Sequence, residues 1–125
     1  MNQRPSAADR SEASTPEKNC GCDVMVHTLS TSELASDVEV LSTLASDTRY
    51  EVLRLVADAN DDVCVCELEP ALEVSQSAVS QALSRLYAAG LVSRRKEGRW
   101  RYYAVTPRAE TLLNALDEIR GDSNE

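Results

Sequence analysis

The sequence lacks any long apolar stretch. Its 125 residues contain apolar runs of only a few residues, whereas a membrane-spanning helix needs about 20. The first 19 residues also have no apolar block of the kind that a secretory signal requires. We therefore expect one domain, since domains commonly run to about 100–150 residues, and we expect it to act in the cytoplasm without a membrane partner.

Histidine and glycine are scarce as well. The chain has one histidine, His27, and four glycines. It has no glycine-rich phosphate loop and no grouping of His or Cys with an acid that is typical of catalysis. The sequence therefore predicts neither an enzyme nor an organic cofactor, and His27 is expected to be a surface residue rather than a metal ligand.

Lysine is rare too, and the acids exceed the bases. The 21 acids outnumber the 13 bases, so the net charge is −8. This total argues against a nucleic-acid partner and indicates a salty cytosol. However, the segment from Ser75 to Arg108 holds seven bases and one acid, a local charge of +6 that leaves −14 on the remaining residues. The basic segment therefore keeps a nucleic-acid partner open.

Composition and periodicity divide the chain into three parts. Residues 1–30 are predicted to form a disordered arm that carries Cys20 and Cys22, residues 31–120 a folded domain, and residues 121–125 a short tail. The domain is predicted to begin with a helix capped at Thr31/Ser32, followed by a helix from Asp47, its expected N-cap, to Ala57. The apolar face of the first helix is Leu34, Val38, Leu41 and Ala45.

The second half of the domain is predicted to hold two helices, a hairpin and a last helix. Pro70 places the start of a short helix near Cys66 or Glu67. Ser75 then caps a helix from Gln76 to about Ala89, whose inward residues are Val79, Ala82, Leu83 and Leu86. Leu91–Lys96 and Arg99–Val105 read as strands joined at Glu97-Gly98, and the last helix opens at Pro107. The fold class is thus mainly α with a small β-hairpin wing (α+β), a winged helix-turn-helix.

This arrangement predicts DNA binding. A helix with a small, polar outer face can enter the major groove, and a basic hairpin can reach the neighbouring backbone or the minor groove. Ser75 and the free N–H groups behind it can bind a phosphate. The candidate DNA-binding residues are Ser75, Gln76, Ser77, Ser80, Gln81, Arg85, Arg94, Arg95, Lys96, Arg99 and Arg101.

The motifs resemble those of the ArsR/SmtB family of metal-sensing repressors. The resemblance covers roughly Glu33 to Ile119 and is carried by Val74-Ser-Gln-Ser-Ala-Val-Ser-Gln-Ala-Leu83 and by the wing Arg95-Lys-Glu-Gly-Arg-Trp-Arg-Tyr-Tyr103. It implies a homodimer, paired through the first and last helices, on double-stranded operator DNA. The candidate dimer residues are Leu112, Leu113, Leu116 and Ile119. Glu73 departs from the family pattern, because glycine usually stands in that turn.

The four cysteines form two Cys-x-Cys pairs, Cys20/Cys22 and Cys64/Cys66. Without a secretion signal, structural disulfides are not expected, and paired thiols point to soft metals or redox chemistry. Thiols at a helix N-terminus are favoured as thiolates. The alternative is that either pair consists of small hydrophobic residues.

In the family, arsenic(III) and antimony(III) sensors carry Cys-Val-Cys-x-x-Cys at the start of the third helix. Here Glu69 stands in the place of the third cysteine, so a complete site needs the N-terminal arm. Cys64 and Cys66 with one of Cys20 and Cys22 would suit As(III) or Sb(III), which we favour slightly, whereas all four would suit tetrahedral Cd(II), Pb(II) or Zn(II). The last helix has no histidine for the family's alternative zinc site.

Three function classes follow. The first is a DNA-binding repressor released from its operator when a soft metal(loid) binds the cysteines. The second is a thiol-redox regulator that uses the same cysteines without metal. The third is a protein-interaction module with a structural zinc site and no operator.

Overall fold

The computed structural model describes residues 23–59 and 61–121. The contacts within the chain fall into two units that divide between Ser30 and Thr31, and the second unit holds every helix and strand described. Its elements are α1 (Thr31–Leu44), α2 (Asp47–Asp58), β1 (Val63–Cys64), α3 (Val65–Leu72), α4 (Gln76–Ala88), β2 (Val92–Glu97), β3 (Trp100–Val105) and α5 (Pro107–Arg120). None of the described helices is long and apolar enough to cross a membrane.

The core lies between α2, α4, the base of the sheet and the start of α5. Its fully buried side chains include Val52, Leu53, Val79, Leu83, Leu86 and Leu91. All four residues that the period of α4 predicted to face inward are buried. Because burying one such aliphatic side chain is worth about 1.5–3 kcal/mol, this face of α4 is firmly attached and its opposite face is held outward.

The first helix differs from its prediction. The side chains of Leu34, Val38 and Leu41 are 42%, 52% and 65% exposed, and α1 instead contacts the core through Val40, Thr43 and Leu44. A 3.6-residue period of apolar residues indicates that one face of a helix is packed against something, but it does not identify the element or partner that packs there. In this protomer the apolar face of α1 has no cover among the described residues.

The wing is part of a three-stranded sheet rather than a hairpin alone. The strand order is β1-β3-β2, and the short strand β1 pairs antiparallel with β3, placing Cys64 opposite Tyr102. Glu97 pairs with Trp100, so the tip is Gly98-Arg99 rather than the predicted Glu97-Gly98. Gly98 has a φ of 63°, which suits a glycine at a two-residue hairpin tip.

The helix starts follow their caps. Ser46 is the N-cap of α2, its hydroxyl accepting from the Arg49 N–H at 3.3 Å, so the assignment of this cap to Asp47 was wrong by one residue. The helix α3 begins at Val65, slightly before the predicted Cys66 or Glu67, because the Cys64 N–H donates to Glu67 Oε1 at 3.2 Å. Pro70 lies inside α3, away from its permitted first turn.

The connection between α3 and α4 uses a left-handed residue. Glu73 has φ 59° and ψ 33°, the backbone conformation that glycine adopts most readily. The turn therefore keeps a glycine-like geometry with a glutamate in it. The conformation of Glu73 lets α3 end at Leu72 and α4 begin at Gln76, with three residues between them.

The last helix is tied to α2. Arg54 Nη2 donates to Asp117 Oδ1 at 2.7 Å, and Arg120 pairs with the same carboxylate. The hydrogen bond from Arg54, followed by that from Arg120, lowers the pKa of Asp117 below its ordinary value. Of the predicted dimer residues, Leu113 is buried in the protomer's own core, Leu112 and Leu116 are half-buried, and Ile119 is 78% exposed.

Candidate nucleic-acid interface and cysteine pair

The outer face of α4 is exposed and polar. Ser75 Oγ accepts from the Ala78 N–H at 3.1 Å, so the hydroxyl itself is used as the helix cap. The predicted outward residues are all exposed, namely Gln76, Ser77, Ser80, Gln81, Ser84 and Arg85. The amides and hydroxyls can donate to and accept from base edges, and the guanidinium can donate to them.

The start of α2 lies beside this face, which sequence reasoning missed. An open groove of about 670 Å³ runs between them, with Ser46, Thr48 and Arg49 on one side and the serines of α4 on the other. Arg49 is held in place, since its Nε donates to the Thr43 carbonyl oxygen at 2.6 Å and closes the end of α1. The signal that could have found this side of the groove is the Ser46-x-Thr48 pair at a helix start directly preceding the motif.

The wing presents its charges on two faces. The register pairs Arg94 with Tyr103 and Lys96 with Arg101, so these side chains share the face that packs towards α4. The Arg94 guanidinium stacks on the Tyr87 ring at 4.0 Å from its centroid, which links the wing to the end of α4. This face therefore brings exposed cations beside α4, the candidate recognition helix.

Arg95 lies on the other face, where carboxylates engage it. Its Nη1 donates to Glu97 Oε1 at 2.8 Å, its Nε donates to Asp62 Oδ2 at 3.0 Å, and it stacks on the Tyr102 ring at 4.8 Å. Hydrogen bonding to Glu97 first, then to Asp62, raises the pKa of Arg95. Its charge is thus largely compensated within the protomer.

The two cysteines of the second pair lie where β1 meets α3. Cys64 is the N-cap of α3 and is 7% exposed, while Cys66, within the first turn, is exposed. The two residues form a disulfide, with Cα atoms 5.4 Å apart, where the sequence led us to expect free paired thiols. The start of α3 turns both side chains to one side, so their sulfur atoms can also face a single ion when reduced.

The described residues supply only part of a metal site. No group of three or more His, Cys, Asp or Glu side chains converges within residues 23–59 and 61–121. Two thiolates from Cys64 and Cys66 are a fitting soft donor set for a thiophilic ion, but a third or fourth ligand must come from elsewhere. The predicted ligands Cys20 and Cys22 lie outside the described residues. His27 is within them, and its Nδ1 accepts from the Leu29 N–H at 3.2 Å.

The cysteine pair and the wing share a cavity of about 520 Å³. Its lining includes Cys64 and Cys66 from one side, Gln76 at the start of α4, and the cations Lys96, Arg99 and Arg101 of the wing. The same cavity is therefore lined by both cysteines and by four of the predicted DNA-binding residues. The cysteine pair therefore borders the candidate interface directly, with no described helix or strand between them.

Comparison with known proteins agrees with this architecture. Residues 46–94 match the family described as "Bacterial regulatory protein, arsR family". A Halobacterium salinarum protein named as an arsenical resistance operon repressor, ArsR2, is 63% identical over 89 residues, which are 71% of this chain and 75% of that protein. The structure of HlyU from Vibrio cholerae is similar at a TM-score of 0.63 and 31% identity, covering 72% of this chain and 97% of that one.

A third comparison bears on the fold alone. The homodimeric winged helix-turn-helix domain of Mb0332 from Mycobacterium bovis has a TM-score of 0.66 at 23% identity, over 81% of this chain and 94% of that domain. Motif, architecture and similarity to these relatives agree, and the family consists of transcriptional regulators rather than enzymes. The chain is a member of the ArsR family of winged helix-turn-helix DNA-binding transcriptional regulators.

Proposed function

We propose that this protein represses an arsenical resistance operon in the cytoplasm and leaves its operator when a soft metal(loid) binds Cys64 and Cys66. The name of the Halobacterium salinarum relative supports the arsenical operon. The observation that carries the rest is the shared cavity, in which the cysteines face Gln76 and the cations of the wing. An ion bound to the sulfur atoms would change the position of residues that contact DNA.

In this proposal the DNA-binding surface is the outer face of α4 with the wing. Gln76, Ser77, Ser80, Gln81 and Arg85 read base edges, and Arg94, Lys96, Arg99 and Arg101 contact phosphates. Ser75 contributes through its backbone, since its hydroxyl already caps the helix. Of the predicted DNA-binding residues, Arg95 is expected to contribute least to DNA affinity, because its guanidinium is paired with two carboxylates.

The same proposal requires a dimer. The exposed apolar residues of α1 and Ile119 on α5 are the faces that a second copy would cover. A two-fold pair would present two recognition helices to a palindromic operator. Leu112 and Leu116 can extend this interface, whereas Leu113 is already occupied in the protomer core.

The inducer set follows from the donors. Two thiolates from α3 with one from the arm would hold As(III) or Sb(III), and four would hold Cd(II), Pb(II) or Zn(II). The first set requires one of Cys20 and Cys22, and the second requires both, from the same protomer or its partner. The ion would form bonds to the sulfur atoms. The residues that line the shared cavity would connect the bound ion to the wing.

The test is operator binding by the reduced protein, challenged separately with As(III), Sb(III), Cd(II), Pb(II) and Zn(II). We expect the inducing ion to weaken binding by about 5–150-fold, the usual range for coupled sites. A Cys64→Ser/Cys66→Ser variant should bind the operator normally and ignore the ion. Release of that variant by the ion would refute the assignment, and a Cys20→Ser/Cys22→Ser variant tests the arm separately.

The disulfide between Cys64 and Cys66 favours a second candidate, a redox regulator. In that case the oxidised protein should differ from the reduced protein in operator affinity without any metal. Anaerobic titration distinguishes the two, because thiolate-to-metal absorption bands appear only if an ion binds.

A further inference from the structure

The cavity beside the cysteines is cationic. Lys96, Arg99 and Arg101 line it, and no carboxylate is among the described residues of its lining. Glu97, the acid of the wing, is engaged by Arg95 on the other face together with Asp62. Glu67, whose Oε1 accepts from the Cys64 N–H, is also outside this lining. The cavity volume of about 520 Å³ falls in the range of small-molecule sites.

The two sulfur atoms in this cavity are not equivalent. Cys66 is exposed, whereas Cys64 is buried at the junction of β1 and α3. Both residues line the cavity, but the greater exposure of Cys66 makes its sulfur the more accessible one to a thiol that enters. Thiol–disulfide exchange depends on which sulfur can be attacked, so access selects Cys66.

We propose that this cavity is a binding site for a small thiol that carries a carboxylate, which it takes up as a mixed disulfide on Cys66. The cations attract the carboxylate, and the disulfide accepts the thiolate. This site goes beyond the metal(loid) response proposed above, and formation of the adduct does not depend on that response, since neither a metal nor an operator takes part in the exchange.

The reaction is a balanced exchange. The thiolate of the small molecule attacks Sγ of Cys66, a new S–S bond forms, and the Cys64–Cys66 bond breaks. The bonding electron pair leaves with Sγ of Cys64, which becomes a thiolate at the start of α3. The protein disulfide is the oxidant, and attack of Cys64 on the adduct reverses the step and releases the thiol.

The adduct would alter the wing. It holds a carboxylate against Lys96, Arg99 and Arg101, the cations that otherwise face DNA phosphates. The positive charge available to DNA falls by about one for each molecule taken up. This effect on the wing, unlike the adduct itself, rests on the operator binding proposed above: operator affinity would then respond to small anionic thiols as well as to soft ions.

The experiment uses three thiols of similar size and different charge on the oxidised full-length chain carrying Cys20→Ser and Cys22→Ser. These are 3-mercaptopropionate, 2-mercaptoethanol and cysteamine. Acid quenching stops the exchange, N-ethylmaleimide in denaturant then traps the freed Cys64, and peptide mass spectrometry locates and quantifies the adduct. Each rate is divided by that of the same thiol with a small neutral disulfide, which removes differences in intrinsic nucleophilicity.

We expect the normalised rate for 3-mercaptopropionate to exceed that for 2-mercaptoethanol by about tenfold, and cysteamine to be slowest. The preference should shrink at high salt and vanish in a Lys96→Gln/Arg99→Gln/Arg101→Gln variant. The matched control Arg95→Gln removes one wing charge on the other face and should keep the preference. Equal normalised rates, a preference that survives the triple substitution, or an adduct on Cys64 would each overturn the proposal.

Discussion

At the scale of single residues, two positions depart from what local preferences favour. Glu73 adopts a left-handed backbone conformation, which costs a non-glycine residue about 1–2 kcal/mol. Thr43 is fully buried, and its hydroxyl has no hydrogen-bond partner among the described residues. Glu73, in the turn before α4, thus carries backbone strain, whereas Thr43, near the end of α1, carries the cost of an unsatisfied buried hydroxyl.

Replacing Glu73 by glycine is expected to stabilise the protein. Relief of the left-handed strain outweighs the greater backbone entropy that glycine loses on folding, about 0.5–1 kcal/mol, leaving a net gain of about 0.5–1 kcal/mol. Urea unfolding measures the change. Glu73→Ala is the control, since alanine keeps the strain and should give no such gain. A less stable Glu73→Gly variant would show that the glutamate side chain itself supports the turn.

At the scale of elements, one ion pair joins α2 to α5. Arg54 and Arg120 both engage Asp117, and the carboxylate is about one-third exposed, so solvent weakens the pairing. The pKa of Asp117 is lower in the folded protein than its ordinary value of 3.8. This pairing therefore stabilises the fold above that pH and is lost as the pH falls through the folded-state pKa.

An Asp117→Asn variant should consequently be less stable than the natural protein at pH 7, and the difference should close as the pH drops below about 4. Urea midpoints measured from pH 7 to pH 2 check this. Glu110→Gln removes an exposed acid of the same helix that forms none of the ion pairs found in the described residues. If that control changed the pH profile equally, the effect would belong to the charge of α5 in general.

The wing is the second element for which a prediction can be tested, because its cations are expected to contribute unequally to DNA binding. Lys96→Ala and Arg101→Ala should each lower the slope of log affinity against log salt by about one, as expected for a lost phosphate contact. Arg95→Ala should lower it much less, because Glu97 and Asp62 already compensate that charge. Operator binding between low and high salt gives the slopes. A full unit lost in the Arg95 variant would mean that DNA displaces both carboxylates.

At the scale of the whole molecule, the described residues leave one apolar helix face uncovered. The face of α1 that carries Leu34, Val38 and Leu41 is exposed, although its period is that of a buried helix face. Ile119 on α5 is exposed in the same way. A second copy of the chain is the cover that we propose above.

A Leu41→Glu variant should therefore dissociate into monomers and lose operator affinity, because a carboxylate would be placed in an apolar interface. Sedimentation equilibrium and operator binding measure both effects. Ala59→Glu introduces the same charge at an exposed position after α2 and should change neither. A Leu41→Glu protein that remained dimeric would place the interface elsewhere.

The sequence by itself determined the recognition helix, the wing and the cysteine pair. These features are local, because a 3.6-residue period, a serine cap and a strand alternation depend on neighbouring residues. Only the tertiary structure decided that β1 joins the sheet, that Arg95 turns to Asp62 while Lys96 and Arg101 turn to the cavity, and that Cys64 is buried while Cys66 is exposed. Each of these depends on contacts between residues distant in sequence, which periodicity does not encode. The charge total of −8 illustrates the difference, since the positions of the cations, and not their number, determine what this protein can bind.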